Sequence, residues 1–348
     1  MHISADRKRR LTSKARKFGW AAMVPIAAAV GLLTAPAPSS TYFPEQKTCP
    51  IGGEKFEFMA LGSISTWGAL PDGMPIGSGY FPTDLPQCPR NGLVMYRDFN
   101  ADELEKLKGV IESREYRALR AKDSSKHYLA YQLARALRDE DAPWLLLSAT
   151  WQAKNDNLPN GRVKAYNDEF ASFVLTLPVS ATSFNSIALR ARAANALREL
   201  GRFSEAENLR QSIVIAPEAG GAESDADENR KGWVDYLKLL AGPIARQDKG
   251  RSPIDMFNQR LAVSECVSGV RLATSMPYLP EPLSSFEKKY CASPELSEAI
   301  AEQKRNLAEY SDESMQAASD AMNAAEAARI EAAALNVSTA AVNAAMAQ

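Results

Sequence analysis

From Asn100 to Arg246 the sequence is written almost throughout in the period of an α-helix, and this limits the fold more than any other feature. Asn100-Ala-Asp-Glu103 has the form of a capping box, in which the Asn side chain accepts from a free amide and Glu103 reaches back. Leu104, Leu107, Val110 and Ile111 then recur at helical spacing. Further helices are predicted over 125–138, over 144–154 after Pro143, over 163–177 before Pro178, over 184–200 ending at Gly201, over 203–215 before Pro217, and over 231–246. The acidic stretch 218–230 (EAGGAESDADENR) reads as a solvated loop.

Before Asn100 the texture differs. Residues 38–48 form a polar, proline-containing linker. Residues 49–99 hold eight of the nineteen glycines and six of the twenty prolines. Lys55-Phe-Glu-Phe-Met59 alternates at period two, as a half-buried strand does, and Leu93-Val-Met-Tyr96 is a second short strand candidate. Between them, 61–87 reads as a long loop with turn signals at Pro71-Asp72-Gly73 and Gly77-Ser78-Gly79; loops of that length without secondary structure are uncommon, so it is either functional or ordered by packing on the helices. Beyond the helices, 247–295 is irregular except for a helical stretch over 258–270. The last 53 residues contain no Gly or Pro, and fifteen of residues 311–348 are Ala. Alanine favours helix, but few large apolar side chains are present to anchor one. The expectation is a weakly anchored helix over 296–335 and a frayed tail.

The N-terminus is a separate problem. Residues 1–37 carry seven Lys/Arg and one acid, Asp6. Residues 18–35 (FGWAAMVPIAAAVGLLTA) are uncharged and mostly apolar, and Ala35-Pro36-Ala37 offers small residues where a signal peptidase cuts. Residues 1–37 are therefore read as a signal peptide or, if uncleaved, as a signal anchor in the cytoplasmic membrane spanning 18–35. Either topology puts the body outside that membrane, in the periplasm or secreted. Removing this segment leaves 34 basic and 41 acidic residues, a net charge of -7. Such a body has no excess of cations to neutralise phosphates, which argues against nucleic-acid binding.

Two short motifs frame the reading. Cys49-Pro-Ile-Gly-Gly-Glu-Lys-Phe56 and Cys88-Pro-Arg-Asn-Gly-Leu-Val-Met-Tyr96 look like variants of one Cys-Pro-x-x-Gly knuckle. Ala191-Arg-Ala-Ala-Asn-Ala-Leu-Arg-Glu-Leu-Gly-Arg-Phe-Ser-Glu-Ala206 looks like the middle of a tetratricopeptide repeat: small residues for close packing, Gly201 at the turn, Phe203 in the hairpin and Ala206 at the crossing. Helical-hairpin lengths recur around 125–156 and 161–179 without that consensus. Over roughly 47–215 the chain resembles uncharacterised bacterial proteins that join a zinc-ribbon-like Cys-Pro module to tetratricopeptide-like helices. The resemblance implies a scaffold and no particular activity.

The knuckles depart from the zinc form, because Gly52 and Asn91 stand where a second cysteine of each pair belongs. Two thiolates without a nearby histidine cannot close a tetrahedral zinc site, so a disulfide is expected instead. Cys49, Cys88, Cys266 and Cys291 allow three full pairings. The pairing 49–88 with 266–291 is preferred because it respects the order of the segments, and a buried, reduced pair is the alternative.

The catalytic inventory is poor. His2 and His127 are the only histidines, and His127 is expected as a partly exposed helix residue. Asp139 with Asp141 and Asp225 with Asp227 lie in hydrophilic runs, where solvated carboxylates are the rule. Trp144 and Trp151, seven apart, share a helix face suited to core packing. No catalytic, cofactor-binding or metal-ligating residue is nominated.

The chain is thus expected to be mainly α: a small Gly/Pro-rich β-containing module over 38–99, tetratricopeptide-like hairpins over 100–246, an irregular segment over 247–295, and an Ala-rich helix with a frayed tail over 296–348. The expected function is an exported, non-enzymatic scaffold of the bacterial cell envelope that binds a protein or peptide partner. The alternatives are a glycan-acting envelope enzyme built on a carboxylate pair, and a membrane-anchored assembly factor.

Overall fold

The two Cys-Pro knuckles adopt the same backbone turn in the computed structural model of the chain. In the first, Cys49 N donates to Glu54 O (2.8 Å) and Gly53 N to Cys49 O (3.1 Å); in the second, Cys88 N donates to Leu93 O (2.9 Å) and Gly92 N to Cys88 O (2.9 Å). Gly53 and Gly92, at equivalent positions, have φ of 66° and 76°, a region open to glycine at little cost. The structure describes residues 40–122, 124–156, 160–271, 281–309 and 320–321. These fall within one compact unit, 38–348; the expected signal segment over 1–37 and most of the Ala-rich tail lie outside the described residues.

The first knuckle is the turn of an antiparallel ribbon, β1 (Thr41–Thr48) with β2 (Lys55–Ser63), in register Thr48↔Lys55 through Pro44↔Met59. Residues 38–48 are therefore largely strand rather than linker. The Lys55–Met59 alternation does form a strand. Val94 makes only an isolated bridge to Gln87, so 93–96 is not a strand. Here the chain is committed to the second knuckle and to the helices beneath it. The 61–87 stretch is not structureless either: β3 (Thr66–Ala69) and β4 (Pro75–Gly77) pair around the turn Leu70-Pro-Asp-Gly-Met74.

The helices follow in order: α1 (Ala101–Glu112), α2 (Arg114–Ala121), α3 (Lys126–Leu137), α4 (Ala142–Asn155), α5 (Asn160–Thr176), α6 (Phe184–Glu199), α7 (Phe203–Ser212) and α8 (Ala226–Ala245). The capping box at α1 is formed, with Glu103 N on Asn100 Oδ1 (3.0 Å) and Asn100 N on Glu103 Oε2 (2.9 Å). Ser125 and Ser183 cap α3 and α6 without the return bond, each side chain accepting from one free amide. From α3 onward each helix packs on the next, and α6 also touches α8. The helix α8 starts earlier than periodicity suggested. Asp227 and Glu228 in its first turn suit the positive end of a helix, so the acidic run is partly helical.

Past α8 come a single 3-10 turn, Ile254–Met256, then α9 (Gln259–Ser268), a minimal ribbon of β5 (Val270–Arg271) with β6 (Glu281–Pro282), α10 (Ser285–Cys291) and a helix over 294–309. The helical stretch expected over 258–270 is α9, and the remainder expected to be irregular also holds α10. The fold is mainly α with small two-stranded ribbons.

Three buried clusters carry most of the packing. The largest joins α3 to α8 and includes Tyr131, Leu146, Phe170, Leu189, Leu197 and Leu240. The second places Cys49, Cys88, Leu93 and Val94 against Leu107, Ile111, Tyr116 and Leu133, so the knuckles share a core with α1–α3. The third sets Leu70 and Met74 against Ile254, Phe257 and Ala262. The preferred cysteine pairs are at bonding distance: Cys49 with Cys88, 39 residues apart, and Cys266 with Cys291, 25 apart, the latter tying α9 to α10. Such pairs are consistent with an extracellular or periplasmic location. No described helix is long and apolar enough to cross a membrane.

Candidate functional site

The helices α4, α6 and α8 converge on one face, and that face is filled by the protein's own β3–β4 turn. Arg192 Nη1 and Tyr236 Oη both donate to Pro71 O, each at 2.7 Å. The Arg192 guanidinium also lies over the rings of Trp233 (5.1 Å) and Tyr236 (4.6 Å). Lys154 Nζ reaches Asp72 Oδ2 and Glu199 Oε2, each at 2.7 Å, with all three side chains buried. Asn195 and Asn167 each donate to Glu199.

Beside this triad Arg198 is fully buried with its donors directed: Nη1 to Asp248 O (2.6 Å) and Gly250 O (2.8 Å), Nε and Nη2 to Asn195 Oδ1. Burial alone would raise the Asp72 carboxyl. The cations of Lys154 and Arg251, with hydrogen bonds from Lys154 and Met74 N, outweigh burial and hold it below the usual carboxylate range. These charges are spent on one another, so the cluster fastens the turn to the helices and offers no group to a reactant.

At the opposite ends of α4 and α6 the array is open. A cleft of about 510 Å³ lies between the ends of α3 and α5 and the starts of α4 and α6. Its floor is apolar, with Ala142, Pro143, Phe173, Val174, Leu177 and Leu189. Arg135, Arg138 and Arg190 also line it, and among the described residues none of them makes an ion pair. Arg190 Nε is buried and has no hydrogen-bond partner. Arg138 closes α3 in the left-handed conformation, φ 58°.

The two acid pairs weighed in the sequence are placed as follows. Asp139 lines the cleft but is saturated: Oδ2 accepts from Tyr96 Oη (2.9 Å) and Arg97 Nε (2.7 Å), and Oδ1 accepts from Asp141 N (3.0 Å). Burial would raise its carboxyl, yet these donors hold it below the usual range. Arg97 is itself shared with Glu103, whose carboxyl is pulled down to about 2 by that hydrogen bond. Asp225 accepts from Asn229, and Asp227 pairs with Arg230 at the surface. The two pairs are not brought together with each other in a cleft.

His127 is buried, not partly exposed, because the wall formed by Tyr80, Phe81 and Pro82 lies beside it around a cavity of about 220 Å³. Its Nδ1 is 2.9 Å from Gln152 Oε1, and burial lowers the imidazole below its ordinary value. Trp144 packs at the edge of the main core and donates to Asn185 Oδ1 (2.7 Å); Trp151 bridges the first and third cores. Both cysteine pairs are bonded. Asn91, in the place of a ribbon cysteine, donates to Ile51 O (2.7 Å) and accepts from Leu93 N (2.9 Å), stitching one knuckle to the other. Among the described residues no group of three or more His, Cys, Asp or Glu side chains is placed to hold a metal.

Sequence reasoning nominated none of Lys154, Glu199, Arg198, Arg190 and Arg135. A charged residue inside an apolar helical period was the available signal for Arg198, in Ala196-Leu-Arg198. Comparison with known protein families, with curated proteins and with solved structures returns no match for this chain. The fold and site define a mainly α protein, braced by two cysteine pairs, whose helices hold their own hairpin on one face and an open arginine-lined cleft at one end.

Proposed function

We propose that the chain is an exported, non-enzymatic scaffold of the bacterial cell envelope, periplasmic or secreted, that holds a protein or peptide partner on tetratricopeptide-like hairpins. If residues 18–35 stay uncleaved, the same body is tethered to the outer side of the cytoplasmic membrane. The observation that carries the reading is the apolar cleft of about 510 Å³ between the hairpins, which the chain leaves open. A pocket of that size falls in the range that accepts a specific ligand or a few side chains. The α6–α7 hairpin supports the repeat reading: Gly201 turns at φ 78° and Ala206 is fully buried at the crossing. Because the α4–α6–α8 face is occupied by the 70–74 turn, the partner is assigned to the cleft rather than to that face. The paired carboxylates of Asp72 and Asp139 and the buried, hydrogen-bonded His127 support a role without chemistry.

The test is in-cell crosslinking of a tagged chain followed by purification. One specific envelope protein is expected, lost when Leu177→Glu charges the cleft floor. Turnover of a defined envelope substrate by the purified protein, abolished by a carboxylate substitution, would contradict the proposal.

A further inference from the structure

The cleft between the hairpins is not neutral. Three arginines reach it from two helices and a cap: Arg135 on α3, Arg138 at its end, and Arg190 on α6. The body they belong to is acidic, with a net charge of -7 beyond residue 37, so this clustering is not a sample of a basic surface. Two acids stand among them. Asp139 is already saturated by Arg97 and Tyr96, and Glu140 is exposed and offsets one arginine. A net positive charge is left beside an apolar floor. A guanidinium with a buried, unpartnered Nε is costly to keep, since a buried donor without an acceptor loses its hydration and gains nothing. A carboxylate in the cleft would pair with the Arg190 and Arg135 guanidiniums that line it, in the two-pronged geometry arginine offers.

We infer that the cleft reads an acidic residue flanked by apolar ones in an extended segment of the partner protein, the apolar side chains meeting Phe173, Val174 and Leu177 and the carboxylate meeting Arg190 with Arg135. This rests on the scaffold reading above for its source of ligand, while the chemistry of the cleft is tested separately.

The full secreted chain is titrated with 1-anilinonaphthalene-8-sulfonate, an apolar anion that fluoresces in such a site. The dye is then displaced with two capped peptides, Ac-Leu-Phe-Glu-Leu-NH2 and its Gln counterpart. The Glu peptide is expected to displace the dye at about tenfold lower concentration, the scale of one charge-assisted hydrogen bond. The advantage is expected to vanish in Arg190→Gln. It is expected to shrink in the exposed pair Arg135→Gln/Arg138→Gln, which perturbs no core and covers the case in which Arg190→Gln fails to fold. Absence of dye binding, equal displacement by both peptides, or an advantage untouched by the arginine substitutions would overturn the inference. A charge-selective cleft with no crosslinked protein would instead sink the scaffold reading and leave the cleft chemistry standing.

Discussion

The Lys154 ammonium stands 2.7 Å from the Asp72 carboxylate, 82 residues away in the chain, with both side chains buried. The same nitrogen stands 2.7 Å from Glu199. One cation therefore holds the β3–β4 turn against two helices. Removing one partner of a buried pair strands the other charge, which costs about 3–5 kcal/mol where it has been measured. Lys154→Met strands two carboxylates. It is expected to lower the urea midpoint by a stability loss in that range, whereas the exposed pair Lys126–Asp84 is expected to yield under about 1 kcal/mol on Lys126→Ala. Equal losses from the two would mean that the buried triad is not holding the turn.

The triad also sets an acid response. Asp72 is held below its usual value of 3.8 in the folded protein. Its contribution is therefore fully present above the unfolded value and is lost as pH falls through the lowered folded value. In Lys154→Met the chief cation is gone and burial raises the carboxyl, so the variant's stability deficit relative to the parent chain is expected to shrink as pH falls through the acid range. A deficit that does not change with pH, followed by denaturant unfolding with circular dichroism, would contradict this assignment.

His127 acts in a different window. Burial lowers its imidazole below 6.5, so the folded protein prefers it neutral. Stability is complete above 6.5 and declines as pH falls through the lowered value. His127→Gln removes that decline. Thermal midpoints measured on either side of pH 6.5 should converge for the variant relative to the parent chain.

The knuckles predict a graded loss. In the chain-entropy picture, closing the 39-residue separation of Cys49–Cys88 contributes about 4 kcal/mol, and the 25-residue separation of Cys266–Cys291 slightly less. Intact mass with and without reductant should show two bridges. The Cys49→Ser/Cys88→Ser variant should lose more stability than Asn91→Ala, which removes two hydrogen bonds worth about 1 kcal/mol each. Proteolysis is expected to reach the β1–β2 ribbon first in both.

Helix periodicity was legible because an apolar face is a local property: Tyr131, Leu133 and Ala134 in α3, or Leu189, Ala193 and Leu197 in α6, record their own burial. Strand β1 was not, because Glu45, Gln46 and Lys47 alternate with nothing apolar and Pro44 argues against a central strand. It is half of a lone ribbon, where neither objection applies. The turn itself was legible, but its burial was not, for the opposite reason. Pro71-Asp72-Gly73 carries an ordinary surface-turn signature, and its burial depends on Arg192, Tyr236 and Lys154 arriving from distant helices. The arginine cleft has the same character: each arginine looks like a solvated helix residue until α3 and α6 bring them together.

The most direct test of the account places a photoreactive benzoylphenylalanine at one of two positions in the full chain. Leu177 lines the cleft, and Val234, on α8, is 53% exposed and lies outside it. The account predicts one discrete protein adduct on illumination of cells carrying the probe at 177, weakened by Arg190→Gln, and none from 234. An adduct from 234 with none from 177 would contradict the assignment of the partner to the cleft.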